Sequence, residues 1–275
     1  MSTGLARNPT ALIGGVIVLA VVGVALLSLG WTPYDPVALS SQLLRGPSAA
    51  HWLGTDEYGR DVLSRLMAGT PVTLAAGVFA VLIAAFAGIP AGLAAAERGG
   101  LTGDAIMRLA DLLFAFPALL LAITLAAALG SSTFTAMLAI GIASVPYFAR
   151  VTRSGALTVL SSEYVLAARS YGRGRLAIVR RHVLPNIAPL ILVQTALLLS
   201  VSILAATALS YLGLGTPPPS SAWGLMLQDA EHGFLQTDPL LSLWPTLAII
   251  VTILGFNLLA DGLRDLLDPR LRSRS

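Results

Sequence analysis

The chain has 275 residues, 56% of them hydrophobic and only 11% charged, with a mean hydropathy of +0.81 and a formal net charge of +3. Soluble domains are about 45–50% apolar, so an ordinary soluble protein is excluded. There is no cysteine, which excludes disulfides, thiolate metal sites and cysteine nucleophiles; every one of the 17 basic residues is arginine, and without a lysine the chain cannot build a P-loop.

The apolar residues come in blocks of about 20, the length a helix needs to cross a hydrocarbon core of about 30 Å. The first, 10–29, follows Arg7 and a short 1–9 N-terminus. It is longer than the core of a signal peptide and no small-residue cleavage site follows, so a retained span is expected. Further spans are expected at 72–95, 106–129, 134–152, 187–209 and 244–260, six in all, followed by a tail over 261–275. Residues 72–260 form the core domain of this all-α polytopic membrane protein. Pro90, Pro117 and Pro146 fall within or near spans, where neighbouring helices re-satisfy the freed backbone groups.

With the N-terminus inside, fourteen arginines lie on the cytoplasmic side and only Arg45, Arg60 and Arg65 on the other. This bias orients both termini to the cytoplasm. Two long outer segments, 30–71 and 210–243, hold Trp31, Trp52, Trp223 and Trp244. They mix Gly/Pro turns with short amphipathic pieces and are expected to form ordered caps.

Between the fourth and fifth spans, residues 161–186 contain "EYVLAARSYGRGRLAIVRRHVLPN". Ser161 or Ser162 is expected to cap a helix with Glu163 in its first turn. Ala167 and Ala168 leave one face flat, and Gly172 ends the helix with φ > 0, which glycine adopts cheaply. A second helix should place Leu176, Val179 and Val183 on one stripe and Arg180 and Arg181 away from it, with Pro185 halting that turn before the fifth span. Such a hairpin reads as a basic patch for anionic lipid or as a docking element for a cytoplasmic motor. DNA binding does not fit, because its second helix runs straight into a span, so no nucleic-acid partner is expected. "GRGRLA" matches G-x-G-x-x-A but no strand precedes it.

Glu163, Ala167, Ala168, Gly172, His182, Leu184, Pro185 and Asn186 resemble the "EAA" loop of ABC-importer permeases. "HWLGTDEYGRDVLSRLMAG" (His51–Gly69), "DAIMRLADLLFAFPALLLAI" (Asp104–Ile123), "ALSYLGLGTPPPSSAWGLML" (Ala208–Leu227) and "GFNLLADGLRDLLDPRLR" (Gly255–Arg272) are similar to the C-type permeases of dipeptide and oligopeptide importers. The likeness covers nearly everything after residue 30. Two departures stand out: Ala205-Ala206-Thr207 where the family usually has an acid, and Trp52 in place of a commoner proline.

The resemblance implies a type I ABC importer permease fold and a translocation path shared with a homologous B-type permease. It implies one or two ATPase subunits that carry the ATP and Mg, and an extracytoplasmic binding protein. The chain itself is expected to bind no cofactor. Those loop residues would form the coupling interface with the ATPase, and Gly54, Thr55, Asp56, Gly59, Arg60 and Asp61 are candidates in the outer segment. The expected setting is the bacterial inner membrane and the expected cargo a peptide; nickel or a nickel chelate is the alternative within the family, a secondary transporter the alternative outside it. No enzymatic activity is expected. The three histidines, His51, His182 and His232, fall on opposite sides of the membrane, and "TRSG" at 152–155 lacks the first glycine of a serine-protease motif. Asp111 is the one carboxylate inside a span, near its cytoplasmic end; a proton relay is one reading, and an interfacial structural ion pair with Arg108, three residues earlier on the same helix, is the expected one.

Overall fold

The computed structural model describes residues 8–231 and 239–267. Ten α-helices run in chain order: α1 (Pro9–Ser28), α2 (Val62–Arg98), α3 (Gly100–Ala115), α4 (Ala118–Leu129), α5 (Thr133–Leu160), α6 (Glu163–Ser170), α7 (Arg175–Ile178), α8 (Leu184–Tyr211), α9 (Trp223–Glu231) and α10 (Leu240–Leu267). Among the described residues there is no strand, only an isolated bridge between Thr55 and Asp61.

Among the described residues, five runs are long and apolar enough to cross a membrane: α1, α2, α5, α10 and the 37-residue run Arg175–Tyr211. A sixth crossing is available only if α3 and α4 are taken as one span, and they bend by 84° at Phe116–Pro117. The expected third span, 106–129, is thus broken at Pro117. Phe116, the residue before the proline, is pushed into the extended region with ψ 119°, and the helix cannot continue through it. Pro71, Pro90, Pro146, Pro189 and Pro245 instead lie inside helices that continue past them.

The bundle centres on α2 against α5, with α8 packed on both and α1 lying along α10. Small residues set the α2–α5 distance. A Cβ on Gly88 would lie 2.6 Å from the Val145 carbonyl oxygen, and one on Gly92 would lie 2.8 Å from the Thr152 side chain. Without a hydrophobic force between helices in lipid, such close backbone approach is what holds spans together. The outer lipid-facing surface is left apolar, with Leu19, Leu26, Leu82 and Phe86 all exposed.

Helix α2 begins at Val62 rather than 72, because Asp61 caps it: one carboxylate oxygen accepts from the Ser64 amide at 2.8 Å and from its hydroxyl at 2.7 Å. Arg65 therefore belongs to the first helical turns and not to a loop.

Candidate functional site

Three groups of polar or exposed residues interrupt the apolar bundle: the 161–186 insertion, the cap built from 30–61 and α9, and a charged stripe between α3 and α5.

In the insertion, α6 is tied to the bundle by one side chain. Val165 is fully buried, in a cluster with Ala96, Ala156, Leu160, Ile178, Val183 and Ile187. Around it Glu163 and Ala167 are exposed, Ala168 is half-buried, and Tyr164, Leu166 and Tyr171 leave large apolar surfaces uncovered. Ser162 occupies the N-cap position, but its hydroxyl donates to the Val159 carbonyl at 2.6 Å and does not cap the helix, contrary to the expectation. Gly172 has φ +77°, as expected of it. Its amide donates to the Arg169 carbonyl at 2.9 Å and the Arg173 amide to that of Ala168 at 3.2 Å, the two bonds of a Schellman termination. Nothing crowds the position, so the backbone angle alone demands glycine.

The second half of the insertion differs from the hairpin expected. After α7 the backbone widens into a π-turn over Val179–Val183, where the Leu184 amide donates to the Val179 carbonyl, and then enters α8 without a stop. Pro185 lies in the first turn of α8 and does not halt the helix, because its missing N–H falls where the wide turn has already broken the regular ladder. The Asn186 side-chain amide donates to the His182 carbonyl at 2.6 Å, satisfying a group the wide turn loosens. The buried stripe is Ile178, Val179 and Val183; Leu176 is 66% exposed. Leu184 packs at the edge of the same cluster. His182 stacks obliquely on Tyr164 at 6.0 Å, and its Nε2 is buried with no hydrogen-bond partner among the described residues. Arg169, Arg173 and Arg175 line a cleft of about 300 Å³ with Glu97 and Ile178.

At the opposite end, the cap is a buried charge network. Asp56 Oδ2 accepts from Arg60 Nε at 2.7 Å and from Arg65 Nη1 at 2.6 Å, while Asp229 Oδ2 on α9 accepts from Arg65 Nη2 at 2.9 Å and from Arg60 Nη2 at 3.2 Å. Two arginines thus face two carboxylates with almost no exposure except at Asp229. Half-buried Glu57 sits beside them; burial first, then the Asp229 and Asp56 carboxylates, raises its carboxyl above the ordinary value, with Arg60 opposing. Asp61 also accepts from, or shares a proton with, His51 Nδ1 at 2.8 Å. Thr55 holds the chain reversal, accepting from the Arg45 amide at 3.0 Å. Gly54 and Gly59 have φ of +84° and +72° and press against the Arg45 and Ser40 carbonyls. All six candidates in this segment come together, and each has an evident job in holding the cap.

Arg65 and Asp229 lie in the expected outer segments, 30–71 and 210–243, but nothing local in the sequence announces their pairing. Trp223 is buried and its indole N–H donates to the Leu66 carbonyl at 3.1 Å, so it pins α9 to α2. His232, Arg7 and the arginines after residue 267 lie outside the described residues.

The third group corrects the expected partner of Asp111. Its Oδ1 accepts from Arg150 Nη2 on α5 at 2.7 Å, and Arg108 has no ion-pair partner among the described residues. Arg150 also lies over the Phe114 ring at 4.2 Å, and Tyr147 meets Phe114 edge-on at 5.3 Å. One turn nearer the arginine-rich end, Arg153 reaches Asp104 at 3.5 Å.

Among the described residues no group of three or more His, Asp or Glu side chains is placed to hold a metal.

Residues 88–273 match the family described as the inner membrane component of binding-protein-dependent transport systems. The glutathione transport system permease protein GsiD of Pectobacterium atrosepticum is 42% identical over 97% of this chain and 89% of its own length. GsiD proteins of an Escherichia coli strain and of Salmonella typhimurium are 41% and 42% identical over 97% of this chain and 88% of theirs. In structure, a chain of the inward-facing MetNI methionine ABC transporter superposes with a TM-score of 0.60 at 15% identity, over 74% of this chain and 96% of the other. That likeness establishes the type I importer permease fold.

Proposed function

The chain belongs to the inner membrane components of binding-protein-dependent transport systems, and from that premise we propose that it forms half of the translocation path of an ATP-driven importer for glutathione-like peptides. The observation that carries the reading is α6: a short helix held by one buried valine, with Tyr164, Leu166, Ala167 and Tyr171 presented outward and largely exposed among the described residues. Contiguous exposed apolar surface outside the lipid-facing wall marks a protein interface. An ATPase subunit is the occupant that such a helix suits, and the absence of lysine leaves nucleotide binding to that subunit.

The loop charge bias supports a cytoplasmic setting for the arginine-rich end, where α6 lies, with both termini on that side. A homologous B-type permease would supply the other half of the path and a binding protein would deliver cargo to the opposite end. Relatives over 40% identical across 97% of the chain carry glutathione transport in their names, which supports a peptide-like cargo over the nickel alternative.

The test is purification of the tagged chain from cells that express it with its neighbouring subunits. An ATPase should copurify, and the complex in vesicles should accumulate labelled glutathione only when ATP is supplied on the α6 side. Accumulation by the isolated chain, driven by an ion gradient and indifferent to ATP, would refute the reading.

A further inference from the structure

The stripe between α3 and α5 is exposed where exposure is expensive. Arg150 and Asp111 are 39% and 60% exposed. Asp111 lies five residues into the expected span 106–129, roughly 8 Å from its arginine-rich end at 1.5 Å per residue. Charged pairs within spans almost always face the interior of an assembly or a water-filled cavity. The backbone agrees: the α3–α4 break at Phe116 and Pro117 is itself exposed, five residues further along, and non-helical backbone at membrane depth survives only in protein or beside water. The charges also form a continuous run. Asp104–Arg153 at the arginine-rich end leads to Asp111–Arg150 deeper in, the order expected of a wall that water enters from one end.

We infer that Asp111, Arg150, Phe114 and Tyr147 form a substrate-contacting patch on the water-lined wall of the path, and that the patch takes the zwitterionic α-amino-acid head of a γ-glutamyl peptide. The inference rests on the proposed importer function and adds to it a site and the part of the cargo that site reads. Only one guanidinium nitrogen of Arg150 is engaged, by one oxygen of Asp111, so Arg150 keeps donors for a carboxylate and Asp111 keeps an oxygen for an ammonium group. The two charges sit 2.7 Å apart. That adjacency matches an ammonium and a carboxylate carried on one carbon, as a γ-glutamyl head carries them, and not the separated ends of an α-linked dipeptide. Phe114 holds the guanidinium plane from behind, which fixes its direction without consuming its donors.

The cysteine-free sequence makes the test direct. In the assembled importer in vesicles, Tyr147→Cys and, separately, Phe114→Cys are exposed to a charged, membrane-impermeant thiol reagent and read by the mass of this chain. Phe86→Cys, on the apolar wall of α2, is the reference. Both patch positions should react about tenfold or more faster than the reference, because the reactive thiolate forms only where water reaches it. Millimolar γ-glutamylglycine should slow them, and N-acetyl-γ-glutamylglycine should not. Reaction no faster than at Phe86→Cys means the patch is covered by the partner permease or by lipid, and overturns the inference. Fast reaction with no protection, or equal protection by both peptides, overturns the assignment of the head group. Glutathione uptake by the unmodified importer in the same vesicles separates the claims: uptake without protection defeats the patch alone, whereas absence of uptake defeats the cargo proposed above.

Discussion

Arg65 Nη2 on α2 donates to Asp229 Oδ2 on α9 at 2.9 Å, joining two segments 164 residues apart at one end of the bundle. Because Arg65 also reaches Asp56, and Arg60 binds both acids, the four charges neutralise one another inside a site that excludes most solvent. A pair of this kind contributes little over a well-packed apolar substitute, but removing one member is expensive, since it strands the others.

Asp229→Ala should therefore loosen the cap by about 3 kcal/mol, the cost of breaking a buried ionic group on one side. Hydrogen exchange in α9 and in residues 54–66 should accelerate together, while the spans stay protected. Unchanged exchange in the 54–66 segment would show that Asp56 alone suffices for both arginines.

Glu57 sets the pH response of the same cap. Its folded carboxyl titrates above the ordinary value of 4.5, so the folded cap holds that proton more tightly than the unfolded chain. This contribution is fully present below the unfolded value and is lost as pH rises through the folded one. Exchange in α9 should thus quicken as pH rises through that window. Glu57→Gln should abolish this increment and leave the cap tighter at neutral pH; an unaltered profile in the variant would assign the dependence to another group.

Gly172→Val tests the insertion. A β-branched residue at φ +77° costs about 1–2 kcal/mol in backbone strain, enough to shift the termination of α6 without touching the hydrophobicity that inserts the spans. The variant should reach the membrane at normal levels and lose most ATP-dependent uptake. Gly172→Asn, which tolerates the left-handed region better, should retain more. Equal uptake by all three chains would mean that the turn plays no part in coupling.

Orientation is checked by labelling. Ser161 and Ser220 are exposed at opposite ends of the bundle. An impermeant thiol reagent added to intact cells should modify Ser220→Cys and spare Ser161→Cys. The reverse pattern would invert the topology.

Much of this protein follows from its sequence because the controlling physics is local. Block length and hydropathy identify the spans, and the arginine bias between loops carries the expected orientation. The Gly172 turn is legible because the backbone angle it needs belongs to glycine in any surroundings. The motif resemblance that placed the chain among importer permeases is likewise a property of residue order.

What the tertiary structure decided depends on which faces meet. Asp111 had a partner three residues away on its own helix, yet it pairs with Arg150, 39 positions along, because α3 lies against α5 with its charged stripe turned that way. Pro117 and Pro185 are the same residue type, and one breaks a span while the other rides into a continuous helix. Phe116 before Pro117 is extended, whereas Pro185 falls in the first turn of α8 with helical backbone on both sides of it. A proline's missing hydrogen bond is fixed by sequence; whether the chain bends there depends on the backbone conformation that the packing around it holds.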